Sequence, residues 1–425
     1  MPKKLLLISI DAMISKDIEI MKELPAFGSI IGEASIVKNV LPICPTLTHP
    51  VHVSIGTGCY PDKHGIISND YFLPGQAFSP WLEKADLVKV PIFPQIAKQY
   101  GYTCASVFWP LTIGMDLDWV LGRAWVHERN KSQQQTIKDN STEGLFDEVA
   151  PFVESCWGKE HYEESDSFCF LSAEYLLRKY KPDITLIHVV LMDHIRHAYG
   201  VFSDQLAPAY KFLDDGMARL LDAMKDAGTL DDTIICITGD HGQLDIDRVI
   251  SLNRFFVDSG LIRLNDDGSL QDWDAYAHSA SLTSYIHVNA SQSCSAKSIM
   301  QLLLDNKERL GIAEILTREQ AQQRYHLDGD FDLLVETDGH TAFSPRWTVP
   351  LETPVDNTDY RTSVAGHGHF PEKGEKPAFI VRNPYSSKRI TLESGNIVDQ
   401  APTMARLLGF DMPNCDGTPI SQLLD

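Results

Sequence analysis

Basic residues are scarce in this chain of 425 residues: Lys and Arg total 37 against 58 Asp and Glu, a formal net charge of −21. So broad an acidic field repels polyanions at a distance, which excludes a general binder of long nucleic acids. A small anionic substrate stays open, because a bound metal ion inverts the sign locally. No window of 18 apolar residues exists, which excludes a membrane-spanning helix. The eight cysteines (Cys44, Cys59, Cys104, Cys156, Cys169, Cys236, Cys294 and Cys415) include no CxxC pair. A chain of this length does not need covalent stapling, so they read as mostly buried free thiols in a reducing, cytoplasmic setting. Repeats, low-complexity tracts and Gly/Ser linkers are also missing. The start, basic and then apolar, looks like the opening of a signal peptide. Its apolar run stops at Asp11 after six residues with no small-residue cleavage site, so a buried first strand is the expectation.

What is present is ordinary globular material, 43% hydrophobic and 22% charged. Strand-length apolar runs (5–10, 102–109, 183–191, 233–238, 378–382) alternate with helix-period segments (94–101, 173–180, 295–310, 402–409). The clearest helix carries Leu213, Met217, Leu220, Leu221 and Met224 on one stripe and is closed by Gly228. Such alternation predicts an α/β fold with a mainly parallel sheet and helices on both faces. The stretch 252–363 is less regular and rich in turn residues, and is expected to be a cap or elaboration on one large domain spanning 1–425.

Four separated segments place Asp, His or Thr at or near the end of an expected strand, where open parallel sheets bind ligands. Asp11 closes the first strand, either as a site residue or as a helix N-cap. Thr48 precedes a short segment that could open a helix, where a hydroxyl either caps or acts as a nucleophile. Asp193 and His197 are four apart, either sharing a metal on one helical turn or lying in a solvated polar turn. Asp240 and His241 are adjacent, between Gly239 and Gly242, which permit a sharp backbone turn. Gly366-His367-Gly368-His369 offers one more histidine. Three Asp and three His make two sets of about three N/O ligands, each leaving an open position. Imidazole plus carboxylate suits Zn²⁺ best, with Mn²⁺ or Fe as alternatives. Two such ions about 3.5–4 Å apart form a clamp for displacement at phosphorus.

The order of these pieces resembles the alkaline phosphatase superfamily, and within it the type I phosphodiesterase/nucleotide pyrophosphatase family. The matching segments are Ser9-Ile10-Asp11-Ala12, Pro45 to Gly58 around Thr48, Tyr60-Pro61 with His64 to Asn69, Phe108-Trp109-Pro110, Asp193…His197…Gly200, Asp240-His241-Gly242 and Gly366-His367-Gly368, followed by Ala401-Pro402-Thr403 and Gly417. The resemblance implies an alkaline phosphatase-like core and a hydrolase of phosphodiester or pyrophosphate bonds in a small substrate. It implies Thr48 as a nucleophile that coordinates a metal through its hydroxyl oxygen and is transiently phosphorylated. Asp11, Asp240 and His241 would then ligate the metal that activates it. Asp193, His197 and His367 would ligate the second metal, with His369 in the place of a family aromatic. Asn69, 21 residues after Thr48, matches the amide that donates to a phosphoryl oxygen.

Two departures bear on the substrate. His49 follows the nucleophile and His188 lies five residues before Asp193, where nucleotide-processing members carry base-stacking aromatics. Alternatives are therefore a phosphonoacetate-type phosphonate hydrolase and a phosphomonoesterase. A catalytically silent metal-binding protein would lack a ligand or the nucleophile, and none is missing. Arg196 and His194 fall in the metal-binding turn, either meeting a negative substrate group or exposed at the surface. His127, His161, His278, His287, His326 and His340 have no metal-like spacing.

Overall fold

The computed structural model describes residues 3–76, 78–124, 131–158, 161–289 and 294–424. His127 and the side chain of His161 lie outside the described residues. Eight strands form the central sheet: β1 (Lys4–Ile10), β2 (Ser35–Val37), β3 (Cys104–Val107), β4 (Trp119–Leu121), β5 (Ile184–Val189), β6 (Thr233–Thr238), β7 (Phe379–Arg382) and β8 (Thr391–Leu392). Their order is β8-β2-β7-β6-β1-β5-β3-β4, and only β7 runs antiparallel to its neighbours.

The apolar run of β1 alternates between two cores. Leu6, Ile8 and Ile10 join one apolar cluster; Leu5 and Leu7 join the other. A strand buried on both faces needs apolar residues at every position, because successive side chains point to opposite sides. The helices divide accordingly. One face carries α1 (Pro25–Ile31), α4 (His161–Lys179), α5 (Leu191–Tyr199) and α6 (Leu206–Ala227). The other carries α2 (Thr48–Thr57), α3 (Phe93–Gln99) and α7 (Gln400–Leu408). Leu213, Met217, Leu220 and Met224 are buried along α6, and Gly228 ends it in the left-handed conformation with φ of 70°. Leu221 is only half-buried beside them.

The stretch 252–363 is more ordered than its turn-rich composition suggests. Ala275–Ser279, Thr283–Val288, Leu333–Thr337 and Ile312–Thr317 form a four-stranded sheet, antiparallel throughout. Helices Leu252–Asp258 and Ala296–Asp305 pack on an apolar cluster that includes Phe256, Ile286, Leu303, Val335 and Phe343. The turn residues punctuate short strands. The chain returns where Ala365-Gly366 pairs with Leu244-Asp245, next to His367. Among the described residues no helix is long and apolar enough to cross a membrane.

Candidate active site

Three adjacent strands, β6, β1 and β5, end side by side, and each delivers an aspartate to one place. Asp11 follows β1 directly, Asp240 follows β6 by two residues, and Asp193 sits in the first turn of α5. The start of α5 is fixed from outside: Asp166 of α4 accepts the Val190 and Leu191 N–H groups, each at 2.9 Å. That cap sets where Asp193 and His197, one turn apart, point. The Gly239 and Gly242 positions do not use left-handed φ values. Both are close-approach sites: a Cβ would lie 2.0 Å from the Met13 carbonyl oxygen and 2.2 Å from that of Glu375.

The side chains gather in two trios. In each of Asp11/Asp240/His241 and Asp193/His197/His367, one donor atom per residue lies within 4.8 Å of the others. His241 Nε2 is 3.4 Å from Asp11 Oδ1 and 3.2 Å from Asp240 Oδ2. The His241 and His367 rings stack at 3.9 Å, joining the trios. His369 stays apart, its Nδ1–H donating to the Phe370 carbonyl at 2.8 Å.

These donors fit divalent cations. Asp11 Oδ1, Asp240 Oδ2 and His197 Nε2 are buried with no hydrogen-bond partner. His197 and His367 donate Nδ1–H to the Ala365 and Thr46 carbonyls at 2.6 and 2.9 Å, which leaves Nε2 of a neutral ring as a lone pair. Those Nε2 atoms face the Asp193 carboxylate at 3.3 and 4.0 Å. Lone pair against carboxylate is repulsive unless a proton or a cation lies between. Burial pushes His367 down to about 4, so a proton does not serve there at neutral pH, whereas at His197 burial is outweighed by the Asp193 carboxylate, which raises the ring so that a proton or a cation can lie between them. Burial also pushes the Asp240 carboxyl up to about 7, and raises Asp11 with help from the Asp240 and Asp193 charges. Burial opposes ionisation of Asp193 too, yet His197 and His367 hold it well below the carboxylate range. A dication removes the cost of crowding such carboxylates.

Thr48 is the first residue of α2, and the N-cap position falls to Leu47. Thr48 Oγ1 lies 3.3 Å from His241 Nε2. Asn69 Oδ1 accepts the His49 N–H at 2.9 Å, while its buried Nδ2 has no regular hydrogen-bond partner, with the Tyr360 phenol as a polar neighbour. His188 has a different task from stacking: its ring is 3% exposed and its Nε2 meets Asp11 Oδ2 at 3.1 Å. His52, one turn after Thr48, donates Nδ1–H to the Thr48 carbonyl at 2.7 Å and takes the Ser9 hydroxyl on Nε2 at 2.8 Å. Gln243 Nε2 donates to the Asp193 carboxylate. The sequence reading assigned no role to His52, Gln243 or Asp166; the i,i+4 spacing of His52 from Thr48 was the one available signal.

Neither sequence alternative holds for Arg196. It is fully buried, pairs with Asp17 at 2.7 Å, and donates to the carbonyls of Ala12 and Val201. It thereby ties α5 to the residue after Asp11. His194 is half-buried and stacks on Tyr162 at 3.6 Å. Arg196→Met strands a buried carboxylate. It should cost about 3–5 kcal/mol in denaturant unfolding, where a loss under about 1 kcal/mol would contradict this role.

The family model for type I phosphodiesterase / nucleotide pyrophosphatase matches residues 5–363. The chain belongs to this family. Among relatives of this phosphodiesterase family member, human ectonucleotide pyrophosphatase/phosphodiesterase family member 1 is 24% identical over 247 residues, 55% of this chain and 23% of that protein. The human bis(5'-adenosyl)-triphosphatase ENPP4 is 25% identical over 264 residues, 60% of this chain and 51% of that protein. The chain thus spans about a quarter to a half of the length of these curated relatives. Murine ectonucleotide pyrophosphatase/phosphodiesterase 5, in an inactive Thr-to-Ala form with AMP, matches at a TM-score of 0.70 and 16% identity, over 100% of this chain and 99% of that one. Phosphonoacetate hydrolase from Sinorhizobium meliloti, in complex with phosphonoformate, matches at 0.64 and 17% identity, over 94% of both chains. These likenesses establish the alkaline phosphatase-like fold.

Proposed function

We propose that this protein hydrolyses a phosphodiester or pyrophosphate bond in a small substrate, with Thr48 as nucleophile. Asp11, Asp240 and His241 would hold one zinc ion, and Asp193, His197 and His367 a second. The observation that carries the reading is the placement of Thr48 Oγ1 at the head of a helix, 3.3 Å from His241, with the Asn69 side chain bound to the backbone N–H of the next residue, His49. When bound, the paired ions supply Lewis acidity, lowering the pKa of hydroxyl and water and offsetting charge on phosphoryl oxygens.

The protein's own groups do the rest. The Thr48 hydroxyl passes its proton to solvent as Oγ bonds to phosphorus, and the bond to the leaving oxygen breaks, releasing the alcohol or phosphate, which takes up a proton from solvent. The phosphothreonine then yields to water, regenerating the hydroxyl. Asn69 Nδ2 and the Thr48 backbone N–H, which has no acceptor within its own helix, are aimed at the oxygens that gain charge. The eight cysteines are all free thiols, which supports a reducing, cytoplasmic setting for this chemistry.

The test compares bis-p-nitrophenyl phosphate, a p-nitrophenyl nucleotide ester, p-nitrophenyl phosphate and phosphonoacetate on the zinc-loaded protein. Diesters should exceed the other two in kcat/KM by roughly tenfold or more. A preference for the monoester or for phosphonoacetate replaces the diesterase reading with that chemistry.

A further inference from the structure

The turn that ends the inserted region reaches back to the candidate site. Tyr360 lies 5.9 Å edge-on from the His197 ring, 6.2 Å and nearly parallel to the His367 ring, and 5.6 Å from Trp81. Trp81 meets His49, the neighbour of Thr48, edge-to-face at 4.9 Å. A continuous line of rings therefore runs from the second trio to the nucleophile, with the Tyr360 phenol beside the Asn69 amide. His49 is buried, whereas Trp81 and Tyr360 are half-buried and keep part of their surface open.

A buried ion cluster fixes this wall. Arg361, next to Tyr360, pairs with Asp70 at 3.2 Å and with Asp359 at 3.1 Å. The other oxygen of Asp70 meets His278 Nε2, from the four-stranded sheet, at 2.9 Å. The side chains of Arg361, Asp70 and Asp359 are at most 6% exposed. Asp70 directly follows Asn69, so one cluster orients both the amide and Tyr360. The guanidinium is committed to two carboxylates and lies over one side of the Tyr360 ring at 5.4 Å, which holds that ring in place beside Trp81.

We infer that Tyr360 and Trp81 form the wall against which one of the two organic groups on phosphorus packs, and that Tyr360 determines specificity for planar, unsaturated groups over small aliphatic ones. The inference rests on the diesterase reading for the position of phosphorus at Thr48. It also accounts for how the site copes with histidine at positions 49 and 188. His188 is turned inward onto Asp11, and the half-buried rings beside the site are Trp81 and Tyr360.

Two measurements test it on the zinc-loaded protein. The first compares kcat/KM for phenyl p-nitrophenyl phosphate and methyl p-nitrophenyl phosphate, which share a leaving group. The second compares calorimetric binding of phenylphosphonate and methylphosphonate, which needs no turnover. Each ratio is read between variants of one protein, so intrinsic reactivity cancels. The wild-type protein should bind phenylphosphonate roughly tenfold more tightly than methylphosphonate. Tyr360→Leu should lower the phenyl-to-methyl ratio roughly fivefold or more from the wild-type value in both measurements, and Tyr360→Phe should keep it. The wall is overturned if the wild-type protein shows no phenyl preference in binding, or if Tyr360→Leu leaves the preference intact or weakens phenyl and methyl probes alike. If neither diester turns over while the binding preference is present and falls in Tyr360→Leu, the diesterase reading fails and the wall stands.

Discussion

Thr48→Ala is expected to lower kcat by about 10⁴-fold or more, the scale on which removal of a covalent nucleophile acts. Its content of zinc should remain near two ions per chain. The structure gives reason to expect a clean result. Thr48 occupies the first helical position with Leu47 as N-cap, so alanine there costs no capping hydrogen bond. The first trio of Asp11, Asp240 and His241 does not depend on the hydroxyl. Thr48→Ser should retain phosphorylation of the protein, detectable as an acid-stable phosphoserine after rapid quenching. Full turnover in the alanine variant would sink the nucleophile assignment. Loss of metal together with activity would instead make Thr48 chiefly a ligand.

The second large effect concerns the two late histidines. His367→Ala should weaken binding of one ion by at least about 100-fold and leave roughly one zinc per chain after dialysis, with turnover falling on a similar or larger scale. His367 lies within the second trio and stacks on His241 at 3.9 Å, so its loss also loosens the first trio. His369→Ala should leave the metal content unchanged, because that ring belongs to neither trio. Elemental analysis of the two variants decides the matter. The reverse pattern would assign the ligand to His369.

The parts legible in the sequence were those written in local chemistry. The run Leu5–Ile10 reads as a doubly buried strand because all but Ser9 are apolar, and Asp11 stands out because it ends that run. The α6 stripe shows in its spacing, and Gly228 marks its end. What stayed hidden depends on partners distant in sequence. Arg196 looked like a surface or substrate-facing residue because its partner Asp17 lies 179 positions away. Asp166 is one acid among many until its carboxylate is seen on the Val190 and Leu191 amides. The antiparallel setting of β7 follows from the chain's return after the inserted region, a matter of topology that its short apolar segment cannot express. Tyr360 and Trp81 carried no motif at all, since an aromatic residue in a turn-rich stretch looks the same whether it faces solvent or a site.

The pairing of Ala365-Gly366 with Leu244-Asp245 has a bearing on how the centre comes into being. The first trio comes from the ends of β1 and β6, both earlier in the sequence than residues 252–363. The second trio is incomplete until that region has folded and handed the chain back at His367. A chain cut anywhere between residues 252 and 365 would therefore keep one complete trio and only two residues of the other.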